Sequence, residues 1–215
     1  LARKIPLQSF GSLQVRTPLC FPGQRIGVMG GTFNPPHDGH RLAAEAAMKR
    51  LGLDQLWWLI TPGNPLKPQN GVASQSGRMG LVRPFVRGPK MKITGFEREL
   101  GTRYTAATLE FLKRRHPDVR FVWIMGADNL ASFNRWQHWR RIAEIMPFAV
   151  VDRPGWRLAG LSSPAAQALS RSRLPESEAR SLADRKPPAW MLLTIRLSGL
   201  SSTALRTGKS SAGGK

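Results

Sequence analysis

Short apolar runs recur along this chain, and helix-length stretches lie between most of them. Arg25–Met29, Leu56–Ile60, Lys92–Thr94, Arg120–Met125, Phe148–Val151 and Trp190–Ile195 read as strands. Leu42–Leu51, Thr105–Arg115 and Trp136–Ile145 read as helices, the second stopped by Pro117, and residues 161–187 read as helical with a break at Pro175. Strands alternating with helices demand βαβ units, since parallel neighbours need long crossovers that cover both sheet faces. The expected fold is therefore α/β, a Rossmann-like doubly wound parallel sheet in a single domain. In such sheets ligands lie beyond the carboxyl ends of the strands, where chain order reverses. Residues 1–24 show no periodicity and read as a loose extension. Residues 25–206 form the domain, and the small polar tail 207–215 reads as disordered.

The first strand runs into Gly30-Gly-Thr-Phe-Asn-Pro-Pro-His-Asp-Gly-His40, and a helix opens at or near His37. At three residues apart, His37 and His40 share a face of that helix start. A zinc site would need a third ligand, and none stands nearby in sequence. Phosphate suits the place better. A helix N-terminus offers free N–H groups and a partial positive charge, glycines admit close backbone approach, and imidazoles donate hydrogen bonds. Two other phosphate motifs fail. The dinucleotide spacing G-x-G-x-x-G is absent, and Gly208-Lys-Ser210 imitates a P-loop but has Thr203 where Gly is required.

This stretch resembles the G-G-T-F-D-P-x-H-x-G-H signature of HxGH nucleotidyltransferases. The chain is more narrowly similar to bacterial nicotinate-nucleotide adenylyltransferases, through Thr61-Pro-Gly-Asn-Pro-Leu-Lys67, Arg103-Tyr-Thr-Ala-Ala-Thr-Leu109, Gly126-Ala-Asp-Asn-Leu130 with Trp136, Arg153-Pro-Gly155 and Leu200-Ser-Ser-Thr-Ala-Leu-Arg206. The resemblance implies AMP transfer from ATP to nicotinate mononucleotide, giving nicotinate adenine dinucleotide and pyrophosphate. It makes His37 and His40 catalytic. ATP falls to Gly30, Gly31, Thr32, Phe33, His37, His40, Gly126 and Asp128, with Ser202, Thr203 and Arg206 on the β/γ-phosphates from a second helix N-terminus. The mononucleotide falls to Asn64, Lys67, Tyr104, Thr105, Trp136 and Arg153. Magnesium arrives with ATP, without a dedicated protein metal site. Trp136 is one of seven tryptophans, and a helix tryptophan is usually core; its place eight residues after Asp128 favours the ring contact that the resemblance implies.

Two departures stand out. Asn34 replaces the signature Asp, keeping shape and losing a charge. Residues 69–90 hold four glycines, two prolines and no acid where the family has a helix, so poor helicity is expected across 69–91. Composition sets the remaining bounds. Thirty-three Lys and Arg against thirteen Asp and Glu give a net charge of +20, which favours phosphate-bearing partners unless it is simply dispersed over the surface. A basic nucleic-acid-binding protein is the alternative from another class, but no aromatic–basic RNA motif or DNA-reading helix is visible. A sister adenylyltransferase acting on nicotinamide mononucleotide or pantetheine phosphate is the nearer alternative. Cys20 stands alone, so no intrachain disulfide can form. Leu56–Ile60 is far too short to span a membrane. The basic N-terminus has no acid before Asp38, as in an organelle transit segment, but Pro6, Pro18 and Pro22 break any long amphipathic helix. A reducing cytoplasm is the expected compartment.

Overall fold

The computed structural model describes residues 15–63 and 73–195. Its strands are β1 (Arg25–Gly31), β2 (Gln55–Ile60), β3 (Met91–Thr94), β4 (Arg120–Gly126), β5 (Phe148–Val151) and β6 (Trp190–Leu193). They make one six-stranded sheet in the order β3-β2-β1-β4-β5-β6, and every neighbouring pair is parallel. The reversal of order falls between β1 and β4.

Period-two alternation builds two cores. Ile26, Val28, Trp57, Leu59, Phe121, Trp123, Phe148, Val150 and Trp190 point to one face. Leu56, Trp58, Ile60, Val122, Ile124, Ala149, Val151 and Met191 point to the other. Helix α1 (Asp38–Leu51) packs on the second face through Ala44, Ala47 and Leu51, beside the 3-10 segment Glu176–Asp184. Helix α2 (Gln75–Val82) joins it there through Val82. Helix α3 (Thr105–Arg115) covers the first face with Leu109 and Leu112. The short α4 (Ala127–Leu130), α5 (Trp139–Ile145), α6 (Arg157–Leu161) and α7 (Pro164–Ala168) follow on that side, anchored by Leu130, Ile142, Ala143 and Ala165. Helices thus cover both faces of the sheet, as the strand–helix alternation requires.

Four local expectations need correction. The helix expected from Trp136 begins at Trp139, because Phe133–Arg135 is a 3-10 turn and His138 adopts a left-handed φ of 56°. Residues 161–187 form short pieces instead of one broken helix, since Ser163 and Pro164 restart the chain as α7, which ends at Ala168, and Pro175 caps a separate 3-10 segment. Residues 15–24 are not loose. Val15 is buried, Gln55 Nε2 donates to the Leu19 carbonyl, and Thr17 Oγ1 and His116 Nε2 lie 2.9 Å apart. The glycine-rich segment does contain a helix. Ser74 caps α2 by accepting from Gly77 N–H at 3.1 Å, and the Arg78 side chain is wholly buried. Tertiary bonds offset the weak helix propensity of Gly77 and Gly80. The expected phosphate helix at 200–206 lies outside the described residues.

Candidate active site

At the carboxyl ends of β1 and β4 a cavity of ≈ 350 Å³ opens at the switch point. Gly30, Gly31, Thr32, Phe33 and His40 form one wall, Gly126 and Asp128 a second, and Tyr104, Thr105, Trp136 and Arg153 extend the lining. Asn64, Lys67, Ser202, Thr203 and Arg206 lie outside the described residues. The lining also includes Arg103, Trp123, Asn129, Arg135 and Asp152, which the motifs did not assign roles. Arg103, Asn129, Arg135 and Asp152 adjoin residues that the sequence did single out; Trp123 carried no local signal beyond its strand.

One glycine in each of these walls explains its shape. A Cβ on Gly30 would sit 2.2 Å from Trp123 Cη2, so the indole can floor the cavity only because residue 30 has no side chain. A Cβ on Gly126 would meet Asp128 Oδ1 at 2.4 Å.

His37 is the N-cap of α1 and is 3% exposed. Its ring lies on that of His40 with centroids 3.8 Å apart, and Phe33 meets His40 edge-on at 5.0 Å. The His37 backbone N–H donates to His40 Nδ1 at 3.2 Å. His40 Nδ1 is therefore an acceptor, and in the neutral ring the proton resides on Nε2, ready to donate. The return bond to the His37 ring is not made. His40 N–H goes to the His37 carbonyl at 2.9 Å, and both His37 ring nitrogens are buried with no partner among the described residues. Such buried, unpaired polar atoms are costly unless a ligand satisfies them. Burial lowers the His37 pKa to about 4, helped by the positive charge of Arg153 and opposed by Asp38 and Asp128. Burial also holds His40 well below the usual imidazole range, with His37 and Arg153 adding to it. At neutral pH the site thus presents two uncharged imidazoles.

Asp128, on α4, faces the Arg153 Nε at 3.4 Å without hydrogen-bond geometry, leaving its Oδ1 free to accept from a hydroxyl. Across the cavity, Tyr104 caps α3 and Thr105 opens it, so first-turn N–H groups of α3 lie at the lining. The Arg103 guanidinium sits 5.9 Å from the centre of the Tyr104 ring. Trp136 stands edge-on to Phe133 at 5.5 Å, half-buried between core and cavity. Among the described residues no group of three or more His, Cys, Asp or Glu could cage a metal.

A glycine-lined cavity carrying three arginines at the switch point of a doubly wound sheet, with paired histidines at a helix start, defines a nucleotide-transferring class of protein. The cytidylyltransferase-like family model matches residues 28–208. A relative from Rhizobium meliloti (strain 1021), named "Probable nicotinate-nucleotide adenylyltransferase", is 57% identical over 185 residues, 86% of this chain and 98% of its own. Its counterpart of the same name in Agrobacterium fabrum is 55% identical over 181 residues, 84% of this chain and 97% of its own. The chain belongs to the nicotinate-nucleotide adenylyltransferase family. The fold is shared with the Plasmodium falciparum nicotinic acid mononucleotide adenylyltransferase complexed with NaAD, at a TM-score of 0.63 and 17% identity, over 86% of this chain and 83% of that one.

Proposed function

We propose that this chain transfers AMP from MgATP to nicotinate mononucleotide, forming nicotinate adenine dinucleotide and releasing pyrophosphate. The observation that carries the reading is the stacked pair of neutral imidazoles at the α1 start, of which His40 lines the cavity shared with the α3 start and Trp136. The relatives' name points to the same acceptor.

A phosphate oxygen of the mononucleotide attacks the α-phosphorus of ATP in line. A new P–O bond forms, the bond to the bridging α–β oxygen breaks, and its electron pair leaves on pyrophosphate. The acceptor phosphate has a second pKa of about 6, so it needs no protein base near neutrality. Catalysis is then positioning and charge stabilisation. Gly30, Gly31, Thr32 and Phe33 bring backbone close to the ATP phosphates. His40 donates from Nε2 to the oxygens where charge grows, and His37 gains a partner for its unpaired nitrogens. Asp128 accepts from ribose hydroxyls beside Gly126, and Arg153 balances phosphate charge. Tyr104 and Thr105 offer the α3 N-terminus to the nicotinate carboxylate, while Trp136 stacks on the ring. Asn64 and Lys67 complete the acceptor side, and Ser202, Thr203 and Arg206 hold the outer phosphates. Magnesium enters as part of the ATP substrate.

We assign residues 25–206 to the catalytic domain and the cytoplasm as its compartment; no helix among the described residues is long and apolar enough to cross a membrane. The deciding experiment is pyrophosphate release from MgATP with nicotinate mononucleotide, nicotinamide mononucleotide or pantetheine phosphate as acceptor. Release only with the last two would replace this reading with the sister activity. Stabilisation by oligonucleotide but not by MgATP would replace it with nucleic-acid binding.

A further inference from the structure

Arg78 is fully buried, yet among the described residues its guanidinium bonds only backbone carbonyls. Nε donates to Ala73 O at 2.9 Å, Nη1 to Thr32 O at 2.6 Å, and Nη2 to Thr61 O at 2.8 Å and Pro62 O at 3.1 Å. One planar cation thereby ties together the loop after β1, the loop after β2 and the entry to α2. Burial pushes its pKa down, and among the described residues no carboxylate acts on it in compensation. A charge held this way is expensive for the fold alone, because carbonyl dipoles replace water without neutralising it.

The tied carbonyls lie next to the candidate site. The Thr32–Phe33 and Pro62–Gly63 peptides are trans. In a planar trans peptide the N–H points opposite to the C=O. Turning the Thr32 and Pro62 carbonyls onto Arg78 therefore turns the Phe33 and Gly63 N–H groups away from it, and both residues line the cavity. Phe33 also has a left-handed φ of 47°, which a side-chain-bearing residue holds only under constraint from its surroundings. The Arg78–Thr32 bond is adjacent to that constraint.

We propose that Arg78 is a positioning residue for phosphate binding, fixing the two loops so that the Phe33 and Gly63 N–H groups face the bound polyphosphate. The proposal rests on the transfer reading for its role in turnover, but not for anion binding itself. Guanidinium geometry is essential, since an ammonium cannot bond four carbonyls spread over three segments.

The probe is inorganic tripolyphosphate, titrated into the full chain with amide shifts recorded by NMR. In the unaltered protein the Phe33 and Gly63 amides should move on binding. In Arg78→Lys, which keeps the charge, the dissociation constant should rise tenfold or more, those two shifts should vanish, and kcat with MgATP and nicotinate mononucleotide should fall at least tenfold. Unchanged affinity with both shifts retained in folded Arg78→Lys would overturn the proposal. If that variant does not fold, the unaltered protein decides: moved Phe33 and Gly63 amides support the assignment, and unmoved amides overturn it. Absence of turnover in the unaltered protein, with the tripolyphosphate results as expected, would remove the transfer reading and leave Arg78 in place as an anion-site organiser.

Discussion

His40 makes one backbone hydrogen bond through Nδ1 and lines the cavity, so on the proposed mechanism its removal should cost the fold little and the reaction much. His40→Ala should lower kcat about 10²–10³-fold, the effect of deleting one preorganised donor to developing charge. Thermal melting of the free protein should shift by only a few degrees. Near-normal turnover in the folded variant would remove His40 from the mechanism. Gly30 makes the opposite kind of claim, about space. Gly30→Ala places a methyl 2.2 Å from the Trp123 ring, which is 2% exposed and packed in the core, so the ring must shift. Overpacking of this sort costs roughly 1–3 kcal/mol, and the displaced indole should also weaken MgATP binding. A melting curve and an ATP titration check both, and an unchanged pair of values would refute the packing argument. Much at this scale was legible, because Gly30 to His40 is contiguous and its chemistry is local. Arg78 was not, because three of its four partners stand 16, 17 and 46 residues away and only the folded chain brings them together.

The same distinction separates the elements. The central strands announce themselves by alternation, since each faces two cores, and Thr105–Arg115 and Phe148–Val151 end where the sequence placed them. Helix α2 was hidden, because glycines signal poor helicity while its supports are a serine cap and a buried arginine that no local pattern reveals. Two glycines in α2 should now behave differently. A Cβ at Gly80 meets nothing within 4 Å, whereas one at Gly77 approaches Ser74 Oγ to 3.2 Å. Gly80→Ala should therefore stabilise the protein by about 0.5–1 kcal/mol, and Gly77→Ala should gain less or lose. Urea unfolding of both variants tests this. Equal stabilisation would mean the cap tolerates crowding. Native-state hydrogen exchange should show protection over Arg78–Val82, and free exchange there would contradict the helix.

Acid–base balance belongs to the whole molecule. His37 has an unfolded pKa near 6.5 and a folded one of about 4, so the unfolded chain takes the proton first as pH falls. Its contribution to stability is present above 6.5 and is lost between about 6.5 and 4. Glu97, 2% exposed, runs the other way. Burial raises its pKa to about 7, partly opposed by the Thr108 hydroxyl that donates to Oε1. The folded state keeps that proton, so its contribution is full below about 4.5 and is lost as pH rises toward 7. The two slopes oppose each other between 4.5 and 6.5. Glu97→Gln removes one of them, so ΔG of unfolding should rise more steeply with pH across that window, by up to one proton or ~1.4 kcal/mol per pH unit. Parallel pH profiles for the two proteins would show that Glu97 is not protonated in the fold. Substrate choice is also set by the assembled cavity. The α3 N-terminus suits a carboxylate, while an amide brings its own donors against those N–H groups. The ratio of kcat/KM for nicotinate over nicotinamide mononucleotide should be about tenfold or more. A ratio of one would move the protein toward the sister activity.

Because all six strands run the same way, residues 20–24, which lead into β1, and the cavity occupy opposite rims of the sheet. Seven-residue β1 sets them about 20 Å apart. Phe21 on that far rim is 56% exposed, and Cys20 beside it is the chain's one thiol. The molecule therefore has a natural handle. A dye or bead linked through Phe21→Cys, with Cys20→Ser, hangs from the rear while the mouth stays open to small molecules. An immobilised preparation made this way should work as well as the free protein.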